Sequence, residues 1–330
     1  MEQTVITTEH GSGGAATAAL IDGIFAKAFD NPVLAQMEDS AVVPGAGEIA
    51  VTTDSFVVDP LFFNGGDIGR LSVCGTVNDL LMRGAVPKYL TCGFILETGL
   101  LVEELKCIAA SMAATAKEAG VTIVAGDTKV VEGGGGLYIN TAGIGFAQGR
   151  EIGARQIQPG DVIILSGNLG EHHAAILSER LSIDTDIASD CAPLVEMVRA
   201  LMTSDVTVHA MRDITRGGLA TILKEMAETS GLTFELKESG LPVTPKVRDF
   251  CGLLGLDPLY MGNEGKMAVM VPESDADEAL RLIRASAYGA HAAVVGRVSA
   301  GEPGQVVVET AVGGRRNIDV LRGEGLPRIC

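Results

Sequence analysis

Aromatic residues and long apolar runs are scarce in this sequence. It has no tryptophan, and aromatic residues make up only 4% of its 330 residues, although 47% are hydrophobic. The core must therefore be built from Ala, Val, Ile and Leu. No stretch approaches the ~20 consecutive apolar residues of a membrane span, and the N-terminus lacks the basic start and apolar run of a secretory signal. We therefore expect a cytoplasmic protein that does not enter a membrane.

Cysteines are few, and their spacing matches neither a zinc site nor a disulfide framework. Five of the six are expected to be small buried hydrophobic residues. Cys330, the last residue, differs because a thiol at a chain end buries nothing. Unless this terminus is accidental, it predicts a nucleophile or a metal ligand. The six are Cys74, Cys92, Cys107, Cys191, Cys251 and Cys330.

Basic residues are outnumbered by acidic ones, 25 to 42, which gives a formal net charge of −17. Binding to a nucleic-acid backbone relies on clustered Lys and Arg, so a nucleic-acid partner is not expected. A nucleotide is not excluded, because backbone N–H groups and metal ions bridged to carboxylates can hold a triphosphate locally.

The length and the alternation of strand and helix patterns predict two α/β domains. We place the first at residues 1–150, the second at 151–315, and a flexible tail rich in Gly and Pro at 316–330. The segment LYINTAGIGFA is typical of a pair of strands. The predicted helices span 15–29, 71–83, 102–119, 193–203, 218–230 and 274–287.

Several aspartates lie beside glycines or after apolar strands. Each one alone could be a turn or cap residue. Together, carboxylates at strand ends would converge at one edge of a sheet, where Mg²⁺ ions bridging phosphates require oxygen ligands. Gly-rich loops, HGSGG, GGDIG and SGNLG, add backbone donors for phosphate but lack the Walker A pattern. The aspartates are Asp54, Asp59, Asp67, Asp79, Asp127 and Asp213.

Two further ionisable residues lie in similar positions. Lys129 follows the apolar strand that ends in Asp127, and it is either a surface ion pair or a charge next to the acidic set. Glu264 lies in a Gly-flanked turn, NEGK, where it is either an exposed turn carboxylate or a site residue.

These motifs resemble the aminoimidazole-ribonucleotide-synthetase-like superfamily. The matching segments are HGSGG, TTDSFVVDPLFF, GGDIGRLSVCGTVNDLL, AGDTKVV, DITRGGL, NEGK and the terminal PRIC, and they run from His10 to Cys330. NEGK, GDTKVV and PRIC narrow the resemblance to the carbamoyl dehydratases of hydrogenase maturation.

The resemblance implies an α/β (α+β) fold of two domains and a homodimer. Strands of the N-terminal domain would pair with those of a second subunit to form a barrel. The C-terminal α/β domain would pack against it, with ATP between the two domains.

The resemblance also implies a reaction and its partners. A HypF-like carbamoyltransferase would load a carbamoyl group onto Cys330, and ATP-dependent dehydration would convert this thiocarboxamide to a thiocyanate. The cyanide would then pass to iron held by a HypC–HypD-like complex.

The resemblance carries specific roles for the residues above. Five aspartates would gather Mg-ATP, with Gly69, Asn78 and Thr128 at the phosphates. Glu264 would act as the base and Lys129 would position the carbamoyl group or the phosphoryl oxygens. The aspartates are Asp54, Asp67, Asp79, Asp127 and Asp213, and all except Asp67 would be metal ligands.

Two other functional interpretations of the sequence remain open. A thiamine-monophosphate kinase or a selenophosphate synthetase belongs to the same superfamily, but a kinase would not need Cys330, and HGSGG lacks the Cys or selenocysteine and the Lys expected of a selenophosphate synthetase. A non-catalytic scaffold could use the terminal thiol to bind iron or nickel, although no second Cys or His lies near the terminus.

Overall fold

The first sheet has four strands in the order β1–β6–β4–β5. The computed structural model describes residues 5–12, 15–36 and 40–320. Strands β1, β6 and β4 are antiparallel neighbours, while β5 runs parallel to β4 because helix α4 connects the two. The strands are β1 (Ile49–Phe56), β4 (Val86–Glu97), β5 (Thr122–Val131) and β6 (Leu137–Phe146); β2 (Phe62–Phe63) and β3 (Gly66–Asp67) form a separate small ladder.

Helices cover one face of this sheet and leave the other exposed. Helices α3 (Ile68–Met82) and α4 (Val102–Ala119) pack together on the inner face, and α3 contacts β1 and β6. Alternate side chains of β1 point to the outer face, where Ile49 is 53% and Val51 64% exposed. Ile95 of β4 is also exposed. The outer face therefore carries exposed apolar residues together with polar ones such as Ser55 and Asn140, and it is uncovered within one chain.

The second sheet has seven strands in the order β13–β12–β9–β11–β7–β10–β8. Two of its strands, β7 and β10, are continuous apolar runs with every residue buried, and β8 pairs with β10 at the edge of the sheet. The strands are β7 (Val162–Leu165), β8 (Ala210–Asp213), β9 (Thr233–Lys237), β10 (Met267–Val271), β11 (Ala293–Ser299), β12 (Val306–Glu309) and β13 (Arg315–Ile318).

Helix α3 joins the two halves of the fold. It contacts β8 and helix α6 in addition to the first sheet. Its residues are buried on nearly every side, from Ile68 to Met82, because both halves pack on it. The remaining helices are α1 (Ala15–Leu20), α2 (Ala26–Ala28), α5 (Glu171–Arg180), α6 (Val195–Thr203), α7 (Gly218–Ser230), α8 (Pro245–Leu254) and α9 (Ala276–Ala285).

The structure confirms most of the predicted elements and corrects three. The predicted helix 15–29 is α1 and α2 joined by a π-helical turn, Ile21–Phe25. The predicted strand pair at LYINTAGIGFA is one strand, β6. The predicted tail begins too early, because residues 316–318 belong to β13.

None of the helices in the described ranges combines the length and apolar character needed to cross a membrane.

Candidate functional site

Helix α3 and strand β1 bring Asp54 and Asp79 together. The Thr52 hydroxyl donates to Asp79 Oδ2 at 2.7 Å, and the Thr76 hydroxyl contacts Asp54 Oδ2 at 3.1 Å. Asp54 points to the inner face because it alternates with the exposed residues of β1. Burial and the neighbouring charge of Asp79 raise the pKa of Asp54. Two carboxylates are therefore held in a place that disfavours negative charge.

Two more carboxylates come from the second half of the chain. Asp213 ends β8, and burial together with the charges of Asp79 and Asp54 raises its pKa to about 7. Glu264 precedes β10, and burial together with the charge of Asp213 raises its pKa well above the ordinary value. Four acidic side chains that repel one another thus share one region between the two halves.

The carboxylates of Asp54, Asp79 and Asp213 line a cleft of about 550 Å³. Arg216 lines this cleft as well. Its positive charge partly opposes the rise in the pKa of Asp54 and of Glu264. We call this space the acidic cleft. Glu264 lies against helix α3, because a Cβ on Gly75 would be 4.0 Å from its Oε2 atom. Gly75 is one turn before Asp79, so Glu264 and the cleft share one face of α3.

The backbone of Glu264 is held by the segment 190–192. Its N–H group donates to Asp190 Oδ1 at 2.9 Å, and its carbonyl accepts from the Ala192 N–H group at 3.4 Å. Gly265 is required here, because a Cβ would lie 2.0 Å from the carbonyl oxygen of Asp190. Buried Lys266 pairs with Asp190 at 3.5 Å. These contacts fix the backbone from which the Glu264 side chain projects.

Asn78, which was predicted to lie at the phosphates, is enclosed by main-chain groups within one chain. Its amide nitrogen donates to the carbonyl of Ala192 at 3.0 Å and contacts that of Glu264 at 3.4 Å. Its amide oxygen accepts from the Leu194 N–H group at 2.9 Å. Buried and bonded in this way, Asn78 joins α3 to the segment that holds Glu264.

Asp67 and Gly69 also differ from the prediction. Asp67 is the N-cap of α3 and accepts from the N–H groups of Gly69 and Arg70 at 2.7 and 3.0 Å. It lies about 18 Å along the helix axis from Asp79, at 1.5 Å per residue. A Cβ on Gly69 would be 2.5 Å from the Ile108 carbonyl, so this glycine allows α4 to pack closely. Within one chain, neither residue is part of the acidic cleft.

Asp127, Thr128 and Lys129 lie on the far edge strand of the first sheet. Gly126 shares a row with Cys92, Thr141 and Asp54, so three strand spacings, about 14 Å, separate β5 from β1. Asp127 and Lys129 form an exposed ion pair at 2.8 Å, with 70% and 66% of their side chains accessible. The prediction that Asp127 converges with the other aspartates is therefore wrong for a single chain.

The loop HGSGG packs beside the same edge strand, as far as it is described. A Cβ on Gly11 would be 2.8 Å from the Cβ of Val130. Gly11, Asp127, Thr128 and Lys129 line a second cavity of about 400 Å³. This loop and GDTK therefore form a second group of polar residues. Cys330, with residues 321–329, lies outside the described residues.

The acidic cleft suits Mg²⁺ bound together with phosphate, but it is no closed cage. Within the described ranges, no three His, Cys, Asp or Glu side chains are grouped tightly enough to hold a metal by themselves. Mg²⁺ commonly takes one or two carboxylates and completes its shell with water and substrate phosphates. Asp54 and Asp79 can supply these carboxylates, and Asp213 can add a third. Burial and mutual repulsion raise the pKa of Asp54 and of Asp213, and a bound cation would offset both effects.

Sequence reasoning missed Arg216 and Asp190. Arg216 lies within DITRGG, and a cation among the glycines next to Asp213 was a usable signal. Asp190 gave no local signal, because its role depends on contacts with residues 264–266, far away in sequence.

His172 is buried and shares a hydrogen bond of 2.8 Å with Ser189 Oγ, and burial lowers its pKa to about 4. It is therefore a neutral core residue.

In protein stripped of divalent cations, we expect stability to fall as pH rises from about 4 to about 7. The pKa of Asp213 rises from 3.8 to about 7 on folding, so the folded state keeps a proton that the unfolded state loses in this window. At about 1.36 kcal/mol per pKa unit, this costs at most roughly 4 kcal/mol. Urea unfolding across this range should show a shallower decline for Asp213→Asn; equal slopes would contradict the assignment.

Both halves of the chain match models of one family. Residues 37–147 match the N-terminal domain of AIR synthase related proteins, and residues 158–309 match the C-terminal domain. Thiamine-monophosphate kinase from Stenotrophomonas maltophilia, at 18% identity and a TM-score of 0.68, shares the fold. The two-domain α/β architecture is that of this family.

Closer relatives cover nearly the whole chain. A carbamoyl dehydratase HypE of Rhodobacter capsulatus is 47% identical, with 98% of each chain covered. A crystal structure of the hydrogenase maturation protein HypE in complex with ATP is 46% identical, covers 98% of this chain and 99% of its own, and has a TM-score of 0.94. HypE in a HypE–HypF complex is 46% identical over 92% of this chain and all of its own, with a TM-score of 0.80. The chain belongs to the HypE family of carbamoyl dehydratases within the AIR-synthase-related proteins.

Proposed function

We propose that the protein uses ATP to dehydrate a carbamoyl group carried as a thiocarboxamide on Cys330. The amide oxygen takes the γ-phosphoryl group of ATP while one N–H proton is lost, which leaves an imidate phosphate and ADP. Loss of the second N–H proton expels phosphate and forms the carbon–nitrogen triple bond of the thiocyanate. In sum, water leaves the amide as the oxygen of phosphate and two protons.

The observation that carries this proposal is Glu264 beside the acidic cleft. Both steps remove a proton from the same nitrogen, so they need a base next to the site that holds the phosphates. Burial and nearby carboxylates raise the pKa of Glu264, which makes it a stronger proton acceptor than an exposed glutamate. The contacts with Asp190 and Ala192 keep it in place for both transfers. The complex of a 46% identical HypE with ATP supports ATP as the phosphoryl donor.

The residues of the cleft divide the remaining work. Asp54, Asp79 and Asp213 would hold Mg²⁺ with the phosphates of ATP. The bound metal would neutralise charge on the transferred phosphoryl group. Arg216 adds a fixed positive charge on the same side. Asp213, Thr215 and Arg216 lie in one turn. The turn can therefore present a carboxylate to the metal and a hydroxyl and a positive charge to the phosphate.

A second copy of the chain would cover the outer face of the first sheet. Strands β1 and β5 are its open edges, and a barrel forms if β1 of each copy pairs with β5 of the other. The exposed apolar residues Ile49, Val51 and Ile95 would then be buried between two sheets. A homodimer built in this way also removes both open edges.

The dimer would complete the site with residues of the second copy. Pairing of β5 next to β1 places Asp127, Thr128 and Lys129 of one chain within about one strand spacing, 4.8 Å, of the β1 strand that carries Asp54 in the other. Lys129 would then meet the carbamoyl or phosphoryl oxygens, and Asp127 would join the metal ligands. Because these residues are separated from Asp54 within one chain, the proposed site is complete only in the dimer.

Replacing Val51 by glutamate should break the dimer. Val51 is 64% exposed in the single chain, so the charge should cost the folded monomer little, but it would be buried between the sheets. Light scattering should show a monomer, and ATP turnover should fall at least ~10-fold because Lys129 leaves the site. Val312→Glu, at a residue 94% exposed on the β12–β13 turn, should remain dimeric and active. An active monomer of Val51→Glu would refute the shared site.

We further propose that a HypF-like carbamoyltransferase supplies the carbamoyl group and that a HypC–HypD-like complex accepts the cyanide for the iron of NiFe hydrogenase. The HypE–HypF complex supports the first partner. The product of each step is chemically suited to the next: when the accepting complex supplies two electrons, the S–C bond of the thiocyanate breaks, cyanide binds the iron and the thiolate of Cys330 is restored.

Phosphate release provides a test of the proposed coupling. The carbamoylated protein should release one phosphate per carbamoyl group within the first turnover, and the unmodified protein should release phosphate far more slowly. Equal release from the two forms would point to a kinase-like or plain ATPase reaction instead.

A further inference from the structure

The proposed reaction delivers two protons to one carboxylate. Both come from the same nitrogen, and Glu264 can hold only one at a time, so the first proton must leave before the second is taken. Burial and the charges of Asp213 and Asp190 raise the pKa of Glu264, so this carboxyl group does not give up its proton easily. ATP and the carbamoyl group would cover it on the side of the acidic cleft. Glu264 therefore needs a neighbouring group that takes the proton on another side.

Asp190 lies next to Glu264 and does not line the acidic cleft. Its Oδ1 atom accepts from the Glu264 N–H group at 2.9 Å, so the Glu264 side chain starts beside the Asp190 carboxyl group. Its Oδ2 atom is buried and has no hydrogen-bond partner in the described part of the chain. Buried polar atoms are rarely left in this state, because an unmade hydrogen bond is costly. This oxygen is free to accept a proton.

Two more ionisable side chains continue from Asp190 toward the surface. Lys266 Nζ lies 3.5 Å from Asp190 Oδ2, and its side chain is only 8% exposed. Glu171, the first residue of α5, is next. Burial raises the pKa of Glu171, the charge of Lys266 opposes this rise and the charge of Asp190 adds to it. Because Glu171 is partly exposed, the series runs from Glu264 to solvent. We call Asp190, Lys266 and Glu171 the relay.

The Gly-rich segment SGNLG holds the outer half of the relay. A Cβ on Gly167 would be 2.8 Å from the Lys266 Cε atom, so this glycine makes room for the lysine side chain. The Asn168 amide donates to Glu171 Oε1 at 3.1 Å. The segment was expected to offer N–H groups to phosphate, but within one chain Gly167 and Asn168 contact Lys266 and Glu171.

The other described neighbours of Asp190 offer no comparable way to solvent. Its charge also acts on His172, but this ring is buried and bonded to Ser189 Oγ. On the side of the acidic cleft, Asp213 is proposed to bind Mg²⁺, and a carboxylate that binds a metal stays deprotonated.

We propose that Asp190 and Lys266 carry the first proton from Glu264 to Glu171, so that Glu264 can take the second. Asp190 accepts the proton from Glu264. Lys266 takes it from Asp190 and gives one of its own to Glu171, which releases a proton to water. Each residue then has its starting charge, and one proton has left the site. Asp190 and Lys266 do not touch the substrate, so they are positioning residues that act through Glu264. This inference rests on the proposed function.

The test separates the two chemical steps in a single turnover of the carbamoylated protein. Asp190→Asn combined with Lys266→Gln removes both charges, and the asparagine oxygen can still accept from the Glu264 N–H group. ADP should form at nearly the wild-type rate, because Glu264 still takes the first proton. Thiocyanate should form at least ~10-fold more slowly, because proton transfers of this kind typically contribute 10²- to 10⁴-fold. Intact mass should show that the phosphorylated intermediate accumulates.

The matched control is a second buried pair, His209 with Asp161 at 2.8 Å, at the opposite end of β7. Asp161→Asn combined with His209→Gln should form thiocyanate as promptly after ADP as wild type does. Equal slowing of ADP and thiocyanate in the Asp190–Lys266 variant would show a merely structural role, and thiocyanate without a lag would exclude the relay. If carbamoylated wild type forms neither ADP nor thiocyanate, the proposed function itself fails.

Glu171→Gln tests the outer end of the relay and leaves the buried pair intact, so it also serves if the double variant does not fold. Glutamine can still accept the hydrogen bond from Asn168 but cannot take a proton. Thiocyanate should again lag behind ADP. Prompt thiocyanate formation by this variant would overturn the proposed route.

Discussion

Glu264→Gln should abolish dehydration while leaving carbamoylation of Cys330 and binding of ATP intact. General bases typically contribute 10²- to 10⁴-fold, and glutamine has nearly the same shape but cannot take a proton. The backbone contacts with Asp190 and Ala192 do not depend on the side chain, so the variant should keep its fold. Intact mass after single turnover should show a thiocarboxamide that persists.

The matched control is Glu225→Gln, because Glu225 also lines the acidic cleft but forms an ion pair with Arg212 at 3.1 Å and is half exposed. This variant should dehydrate the substrate within about 2-fold of wild type, since exposed ion pairs contribute little. If Glu264→Gln also reacts at that rate, another group removes the protons and Glu264 is not the base.

Asp79→Asn should weaken binding of Mg-ATP by about 10- to 100-fold or more. Loss of groups that merely orient ligands often costs that much in metal affinity, and Asp79 is proposed to be a direct ligand. Asparagine can still accept the hydrogen bond from Thr52, so local structure should be preserved. The variant also removes one of the mutually repelling carboxylates, so the ATP-free protein should be no less stable than wild type.

Isothermal titration with a non-hydrolysable ATP analogue at a fixed Mg²⁺ concentration measures this effect, and thermal unfolding without ligand provides the stability comparison. Asp67→Asn is the informative control, since Asp67 caps α3 about 18 Å from Asp79. It should leave both stability and affinity nearly unchanged, because asparagine caps a helix about as well as aspartate. Equal losses of affinity in both variants would place the nucleotide elsewhere.

Local signals in the sequence located several elements well. Helices α4 and α7 end where predicted because Gly120 and Gly231 take up the left-handed conformation that follows many helices. Helix α8 was missed, although Thr244 before Pro245 is a usual start signal. Strand β6 was predicted as two strands, but it is continuous through its glycines. Gly143 is there for close packing instead, since a Cβ would be 2.7 Å from Thr76.

The site was predictable as a set of residues but not as an arrangement. Motifs singled out Asp54, Asp79, Asp213 and Glu264, and the structure brings them together between the two halves. Asp127 lies in a similar Gly-containing motif, but its strand is three strands away in the sheet. Local motifs do not predict this, because sheet order and strand face are set by long-range pairing. Asp67 caps α3 and Asn78 binds buried main-chain groups, so neither lines the acidic cleft within one chain.

Cys330 is proposed to carry the group that ATP-dependent dehydration changes. The most direct test is the intact mass of the protein after incubation with carbamoyl phosphate and a purified HypF-like carbamoyltransferase, before and after ATP is added, for wild type and Cys330→Ala. We expect wild type alone to gain a carbamoyl group and then to lose one water when ATP is present. An adduct that forms equally on Cys330→Ala, or one that ATP leaves unchanged, would contradict the account.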